Sequence, residues 1–415
     1  MNGSLTHQGQ LKMSSKKLLE GIKIIDMSRI LAGPWATQIL ADYGADVIKI
    51  EKPVNGDDTR KWGPPWLDQD NEKSDAAYFF AANRNKRSLT CDFSTDEGAN
   101  IIKKLVASCD VVIENYKPGT LDRYGLSQAQ LNEINNKIIY CNITAFSEES
   151  SRSHEPGYDA MIQASAGLMS ITGEQNGSPQ KVGVAITDIM AGMYAVSAIL
   201  AALYRREYEG TGQRINIPLF DSQVAWLANQ NMNYLIGGEI PQREGTGHPN
   251  IAPYQSFITK DGHIMLAVGN DNQFENLMKC LKINDQISIN RFKKNSQRID
   301  NKHDLVFLLS EILLKKTTSS WLKLFKKNNI PSGPINDLNQ VFNDEYTIER
   351  NMVRYINRGD KQSIPSVANP VNFSNYEVKY DRAPPSLGEH TEEILNECLG
   401  YTSDQIKELR DKEII

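Results

Sequence analysis

No stretch of about 18 consecutive apolar residues occurs in the chain, so an ordinary transmembrane helix is not expected. The most apolar segment, Ile189 to Leu203, is interrupted by Gly192 and Ser197 and followed by Tyr204, and it reads as a buried core helix. Charge of one sign is also missing. Against 51 Asp and Glu stand 46 Lys and Arg, a formal net charge of -5 with no footprint for nucleic acid. An anionic ligand must therefore be held by local groups. The five cysteines (Cys91, Cys109, Cys141, Cys280 and Cys398) show no CxxC or His-paired spacing. That argues against a zinc site or a disulfide framework and fits buried thiols in a reducing compartment, a cytoplasm or a mitochondrial matrix. GxGxxG, the Walker GxxxxGK[ST], the GxSxG elbow and HExxH are all absent, and Gly245-Thr246-Gly247 runs on into His248-Pro249-Asn250. A bound dinucleotide, a metal and a permanently held cofactor are not expected.

What is present is an ordinary globular composition, 40% hydrophobic and 23% charged, arranged as alternating strands and helices. The first twenty residues lack periodicity and are set aside as a leader (1–20). From Gly21, a strand at Ile22–Met27, a helix opening at Gly33-Pro34 and a strand at Asp46–Glu51 make a βαβ unit. Ser94-Thr95-Asp96-Glu97 starts a helix over Gly98–Ala107. A strand at Asp110–Glu114, a helix at Gln128–Ile134 and a strand at Lys137–Thr144 follow. This alternation predicts an α/β fold, a doubly wound, mostly parallel sheet, over residues 21–225. A helix from Ser222 to Ile236, a Gly/Pro-rich loop and a hairpin around Lys260-Asp261-Gly262 then mark a smaller α+β domain at 226–330. Pro331-Ser332-Gly333-Pro334 reads as a return connection, leaving 331–415 as linker and C-terminal return to the large domain. In such a sheet the ligand crevice lies at the strand C-termini.

The residues in that crevice resemble a known family. Arg29-Ile30-Leu31-Ala32-Gly33-Pro34, Gly44–Glu51, Asn83-Arg84-Asn85-Lys86-Arg87-Ser88, Glu114-Asn115-Tyr116-Lys117-Pro118-Gly119, Gly157-Tyr158-Asp159 and Ala383–Thr391 together resemble the class III CoA-transferases. The resemblance runs in order from about Gly21 to the C-terminus. It is closest to the branch that takes succinyl-CoA as donor and a dicarboxylate such as glutarate as acceptor. It implies that coenzyme A is a substrate, that the partners are an acyl-CoA and a free organic acid, and that two chains interlock as a homodimer.

By that resemblance the nucleophile is Asp188, after a Gly183-Val184 strand. Local physics agrees, because Thr187 is a plausible cap and a helix N-terminus favours an ionised carboxylate. The plainer reading is that Asp188 only complements the helix dipole. Asp159 is the rival carboxylate, a lining residue or a simple N-cap. The family's CoA contacts carry over to Ile30, Ala32, Lys52, Asn115, Tyr116 and Arg123, where Lys52 and Arg123 suit phosphates. Formyl-CoA transferases have glutamine where this chain has Leu31. Arg29 and Arg84 are candidates for the far carboxylate of a dicarboxylic acid, and either could instead hold a strand carbonyl. His248 either covers the site or steadies a turn. Tyr158 replaces the histidine of the family's α-methylacyl-CoA racemases, and a phenol with an ordinary pKa of about 10 is a poor base at neutral pH. That substitution favours transfer over racemisation. A CoA-binding protein without catalysis is the alternative from another class.

Overall fold

The structure, a computed structural model, describes residues 17–69, 74–283, 290–358 and 363–415. The chain forms two compact units. The first takes residues up to Ala166, Gly183–Ala228 and Tyr346–Ile415, and the second takes Gly167–Val182 and Asn229–Glu345.

The first unit opens with β1 (Lys23–Asp26), α1 (Ala32–Asp42), β2 (Asp46–Glu51), the short α2 (Ala77–Phe80) and β3 (Lys86–Thr90). It continues with α3 (Asp96–Val106), β4 (Val111–Glu114), α4 (Gln128–Ile134), β5 (Ile139–Thr144) and α5 (Asp159–Ser165). After the chain's first visit to the second unit, which includes α6 (Leu168–Ile171), come α7 (Ile186–Glu209), β6 (Arg214–Pro218) and α8 (Leu219–Trp226). The six strands are all parallel and lie in the order β3-β2-β1-β4-β5-β6. The order reverses between β1 and β4, which opens the crevice where such sheets bind ligands.

Alternation along each strand divides the core. Ile24, Val47, Val111, Ile139 and Cys141 cluster with α1 and α7 residues, whereas Ile25, Ile48, Leu89 and Val112 cluster with α3 and the C-terminal helices. Among the described residues α7 is the one helix long and apolar enough to span a bilayer. Here it packs along α1 and β5, with Ala191, Gly192, Ala195, Val196 and Ile199 buried. Gly192 is required at this crossing. A Cβ there would sit 2.7 Å from the Ala32 carbonyl oxygen and 3.2 Å from the Trp35 ring.

The chain's end closes the other side. Asn85 N–H donates to Arg382 O, Gly388 N–H to Ser88 Oγ, His390 N–H to Ser88 O and Thr90 N–H to Thr391 Oγ1. The segment Ala383–Thr391 thus covers β3, an edge strand that would otherwise be open. Residues 17–20 also belong to the fold rather than to the leader: Leu19 packs on the core and donates its N–H to Tyr43 O. Residues 1–16 lie outside the described residues.

In the second unit, β7 (Tyr254–Ile258) and β8 (His263–Ala267) form the expected antiparallel hairpin, closed by Thr259 N–H on Gly262 O. A third strand, β9 (Ser332–Pro334), pairs with β8. The Pro331–Pro334 stretch is therefore part of the small sheet and not a return connection. Helices α10 (Asp271–Cys280), Lys302–Leu313 and Thr318–Lys327 pack on it around Phe257, Leu266, Phe274, Leu309 and Phe325. The single helix expected over Ser222–Ile236 is two helices, α8 and α9 (Asn229–Gly237), broken at Ala228, whose φ is +50°.

Candidate functional site

The N-terminus of α7 carries Asp188 in its first turn, but its capping differs from expectation. Gly183-Val184 is not a strand, and no side chain of the helix caps it. Thr187 instead points inward and donates Oγ1–H to Gln223 Oε1 at 2.6 Å. The cap comes from α5. Asp159 Oδ1 accepts from Thr187 N–H at 2.8 Å and Asp188 N–H at 3.4 Å, and its Oδ2 accepts from Gln163 Nε2 at 2.7 Å. Asp159 is thus a cap for α7 supplied by another helix, and it takes the amides expected to favour an ionised Asp188. Burial first, and the Asp159 charge second, push the Asp188 carboxyl up to about 7.

Asp188 opens into a cavity of about 420 Å³. Its walls are the loop after β1 (Arg29 to Ala32), the loop after β4 (Asn115 to Pro118 with Thr120), Thr144-Ala145 and the Ser153–Tyr158 loop. A second cavity of about 520 Å³ shares Arg29, Tyr116 and Thr120 with the first and adds Lys52, Lys61, Phe93, Ser94 and Tyr124. Together they run along the C-terminal ends of β1, β2, β4 and β5, at the reversal of strand order.

The fold therefore brings Asp188, Arg29, Ile30, Ala32, Asn115, Tyr116 and Tyr158 onto one cavity, with Lys52 on the adjoining one. Asn115 holds the first loop on both sides: its Oδ1 accepts from Arg29 N–H and its Nδ2 donates to Arg29 O, each at 2.8 Å. The Arg29 guanidinium pairs with Asp58 at 3.0 Å on the surface and lies over Tyr116. Glu114, buried beneath the second loop, accepts from Tyr116 N–H at 2.6 Å, and burial pushes its carboxyl up to about 7.

Other candidates are placed elsewhere. Arg84 is buried, with its fork on Asp42 at 2.9 and 2.5 Å and a further bond to Val367 O at 2.9 Å. Its donors are spent on structure, so it does not anchor a substrate carboxylate. The larger cavity that Arg84 borders, about 810 Å³ between α1, α2 and the strand Ser363–Val367, is walled mainly by apolar side chains. Arg123 is exposed and lines neither site cavity. His248 belongs to the second unit, where its Nδ1 accepts from Asn250 N–H at 3.0 Å, as a turn histidine does.

Two features escaped the sequence reading. Burial first, then the charges of Asp188, Asp159 and Asp57, push the Tyr78 phenol up. Nothing in the sequence around it signals this. Beneath the site, Asp26, Lys49, Asp57 and Lys86 are fully buried ion-pair partners, Lys49 with Asp57 at 2.9 Å and Lys86 with Asp26 at 3.0 Å. Here a signal existed, since Lys49 interrupts the apolar run of a strand buried on both faces.

With this geometry in place, comparison with known proteins is informative. CoA-transferase family III matches residues 19–391. The succinate–glutarate CoA-transferase of Agrobacterium fabrum is 45% identical over 383 residues, 92% of this chain and 96% of that protein. The succinyl-CoA:glutarate CoA-transferase of Homo sapiens is 42% identical over 409 residues, 98% of this chain and 92% of its own length. Among solved structures, a CAIB/BAIF family protein from Brucella suis superposes with a TM-score of 0.82 at 45% identity, covering 92% of this chain and 99% of that one.

Proposed function

The chain belongs to CoA-transferase family III and is an enzyme of that class, and from this premise we propose that it moves CoA from succinyl-CoA to glutarate or a similar C4–C6 dicarboxylate. The observation that carries the reading is Asp188, set at the head of α7 and opening into a cavity walled by the loops after β1 and β4. The names of the two relatives support the choice of acids.

In the proposed mechanism the Asp188 carboxylate attacks the thioester carbonyl of the donor. The C–S bond breaks, giving a mixed anhydride and CoA thiolate. The thiolate attacks the aspartyl carbonyl of the anhydride, which releases the donor acid and leaves an aspartyl-CoA thioester. The acceptor carboxylate then repeats both steps in reverse order. Donors to the tetrahedral oxyanions must come from elsewhere than Thr187 and Asp188, whose amides Asp159 occupies. Ala32, the first residue of α1, lines the cavity, and its N–H at the helix start has no intrahelical acceptor, which suits that task. Lys52, on the adjoining cavity, is the proposed phosphate partner. The five unpaired cysteines fit a reducing compartment, cytoplasm or mitochondrial matrix.

The test is CoA exchange across a panel of acyl-CoA donors and free acids, with hydroxylamine trapping of donor-treated enzyme. Dicarboxylates of four to six carbons should react, the trapped label should map to Ala185–Gly192, and Asp188→Ala should reduce transfer to background. Activity with monocarboxylates alone, or label on Asp159 or Glu51, would overturn the reading.

A further inference from the structure

The loop after β1 holds a residue in a conformation that its side chain resists. Ile30 has φ +71°, in the left-handed region. For an L-residue that region crowds Cβ against the following carbonyl, and a β-branched side chain makes the crowding worse. Ile30, Leu31 and Ala32 all line the cavity that holds Asp188. Strain of this kind persists only where the surroundings over-determine it.

The surroundings here are specific. Ile30 N–H lies 3.3 and 3.2 Å from the two carboxylate oxygens of Asp57. The preceding peptide is held by Asn115, and Ser28 O accepts from Lys49 Nζ at 3.0 Å. Asp57 is itself fixed. Its side chain and that of Lys49 have no exposed surface and meet at 2.9 Å, and its Oδ1 also accepts from Thr59 N–H at 3.0 Å and Thr59 Oγ at 2.8 Å. One carboxylate therefore ties the loop after β1 to the loop after β2. A buried ion pair adds little stability over an apolar pair of the same shape. An apolar pair, however, has no acceptor for Ile30 N–H.

We propose that Asp57, anchored by Lys49, is a positioning residue that holds Ile30 in its left-handed conformation and so fixes the cavity wall against which the thioester reacts. The inference rests on the reading of this cavity as the site of CoA transfer. Asp57 touches no reacting atom and acts through the backbone of residues 29–32.

The experiment is a double-mutant cycle on kcat/KM for CoA exchange between succinyl-CoA and glutarate, using wild type, Asp57→Ala, Ile30→Gly and the double variant. Glycine adopts a positive φ without crowding, so the clamp matters less in its presence. The loss caused by Asp57→Ala should be smaller in the Ile30→Gly background by about 5- to 30-fold, the factor that corresponds to left-handed strain. Asp57→Asn keeps an acceptor for Ile30 N–H and should recover most of the loss when Ile30 is retained. If Asp57→Ala does not fold, Asn115→Ala, which releases the other hold on this loop, enters the same cycle with coupling of the same sign. Equal losses in both backgrounds, with an active wild type, would overturn the positioning role alone. An inactive wild type would remove the functional reading, and this inference with it.

Discussion

Asp188 sits in surroundings that oppose its ionisation, whereas the proposed attack on a thioester needs its carboxylate. Burial and Asp159 hold it near 7, so kcat/KM should rise about tenfold per pH unit below that value and level off above it. A profile already flat from pH 5 to 8 would contradict this. The same shift has a stability consequence. Between about pH 4 and 7 the folded protein keeps a proton on Asp188 that the unfolded chain has released, so stability falls as pH rises through that window. Asp188→Asn should therefore be more stable than wild type at pH 8, by about 1–3 kcal/mol, with the gain shrinking towards pH 4. Paired thermal melts at the two pH values measure it. At this scale the sequence was informative where a residue sat inside a motif, as Asp188 and Asn115 do. It was silent on Tyr78, whose phenol responds to the charges of Asp188 and Asp159, and misleading on Arg84, whose partner Asp42 lies 42 residues away in sequence.

At the level of elements, the site depends on how closely α7 approaches α1. Gly192 is one helical turn beyond Asp188, and its missing side chain lets α7 press on the Ala32 carbonyl. Gly192→Ala should force the helices apart, costing about 1–3 kcal/mol of stability as overpacking does. It should also lower kcat/KM for CoA exchange by about tenfold or more, because Ala32 is part of the cavity wall. Denaturant melts and exchange assays on the same preparation test both, and an unchanged enzyme would show that the contact tolerates a methyl group. The alternating strands and helices of the large sheet were legible, since buried parallel strands are continuous apolar runs between turn residues. Two breaks were not. The kink at Ala228 falls before Asn229-Gln230-Asn231, with no glycine or proline to mark the break. The strand Ser332–Pro334 is three residues long and contains Gly333 and Pro334, so local propensity argues against it and only pairing with β8 makes it.

For the whole molecule, two short helices leave apolar side chains exposed. Helix α9 has no buried residue, and Leu235 and Ile236 are 71% and 80% exposed. The helix Leu338–Phe342 likewise buries nothing, with Leu338 73% exposed. Apolar surfaces of this kind mark interaction sites, and an interlocked homodimer, each chain threaded through the other, is the assembly proposed for this enzyme. Such a dimer separates only by unfolding. It should run as one species down to nanomolar concentration and show no subunit exchange between tagged and untagged pools over hours. Folded monomers in reversible equilibrium with dimers at micromolar concentration would exclude interlocking.

The C-terminal helices complete the core layer that contains α3: Ile394, Leu395, Ile406, Leu409 and Ile414 cluster with Ile25, Ile48, Leu89 and Val112. A ribosome reaches Val112 about 280 residues before it reaches Ile394, and at ordinary synthesis rates that gap lasts roughly 15 to 60 seconds. Throughout that interval this face of the nascent sheet is covered only by α3 and α4, and its β3 edge lacks the segment that later lies along it. A chain lacking Ile394 to Ile414 therefore leaves apolar sheet surface partly uncovered.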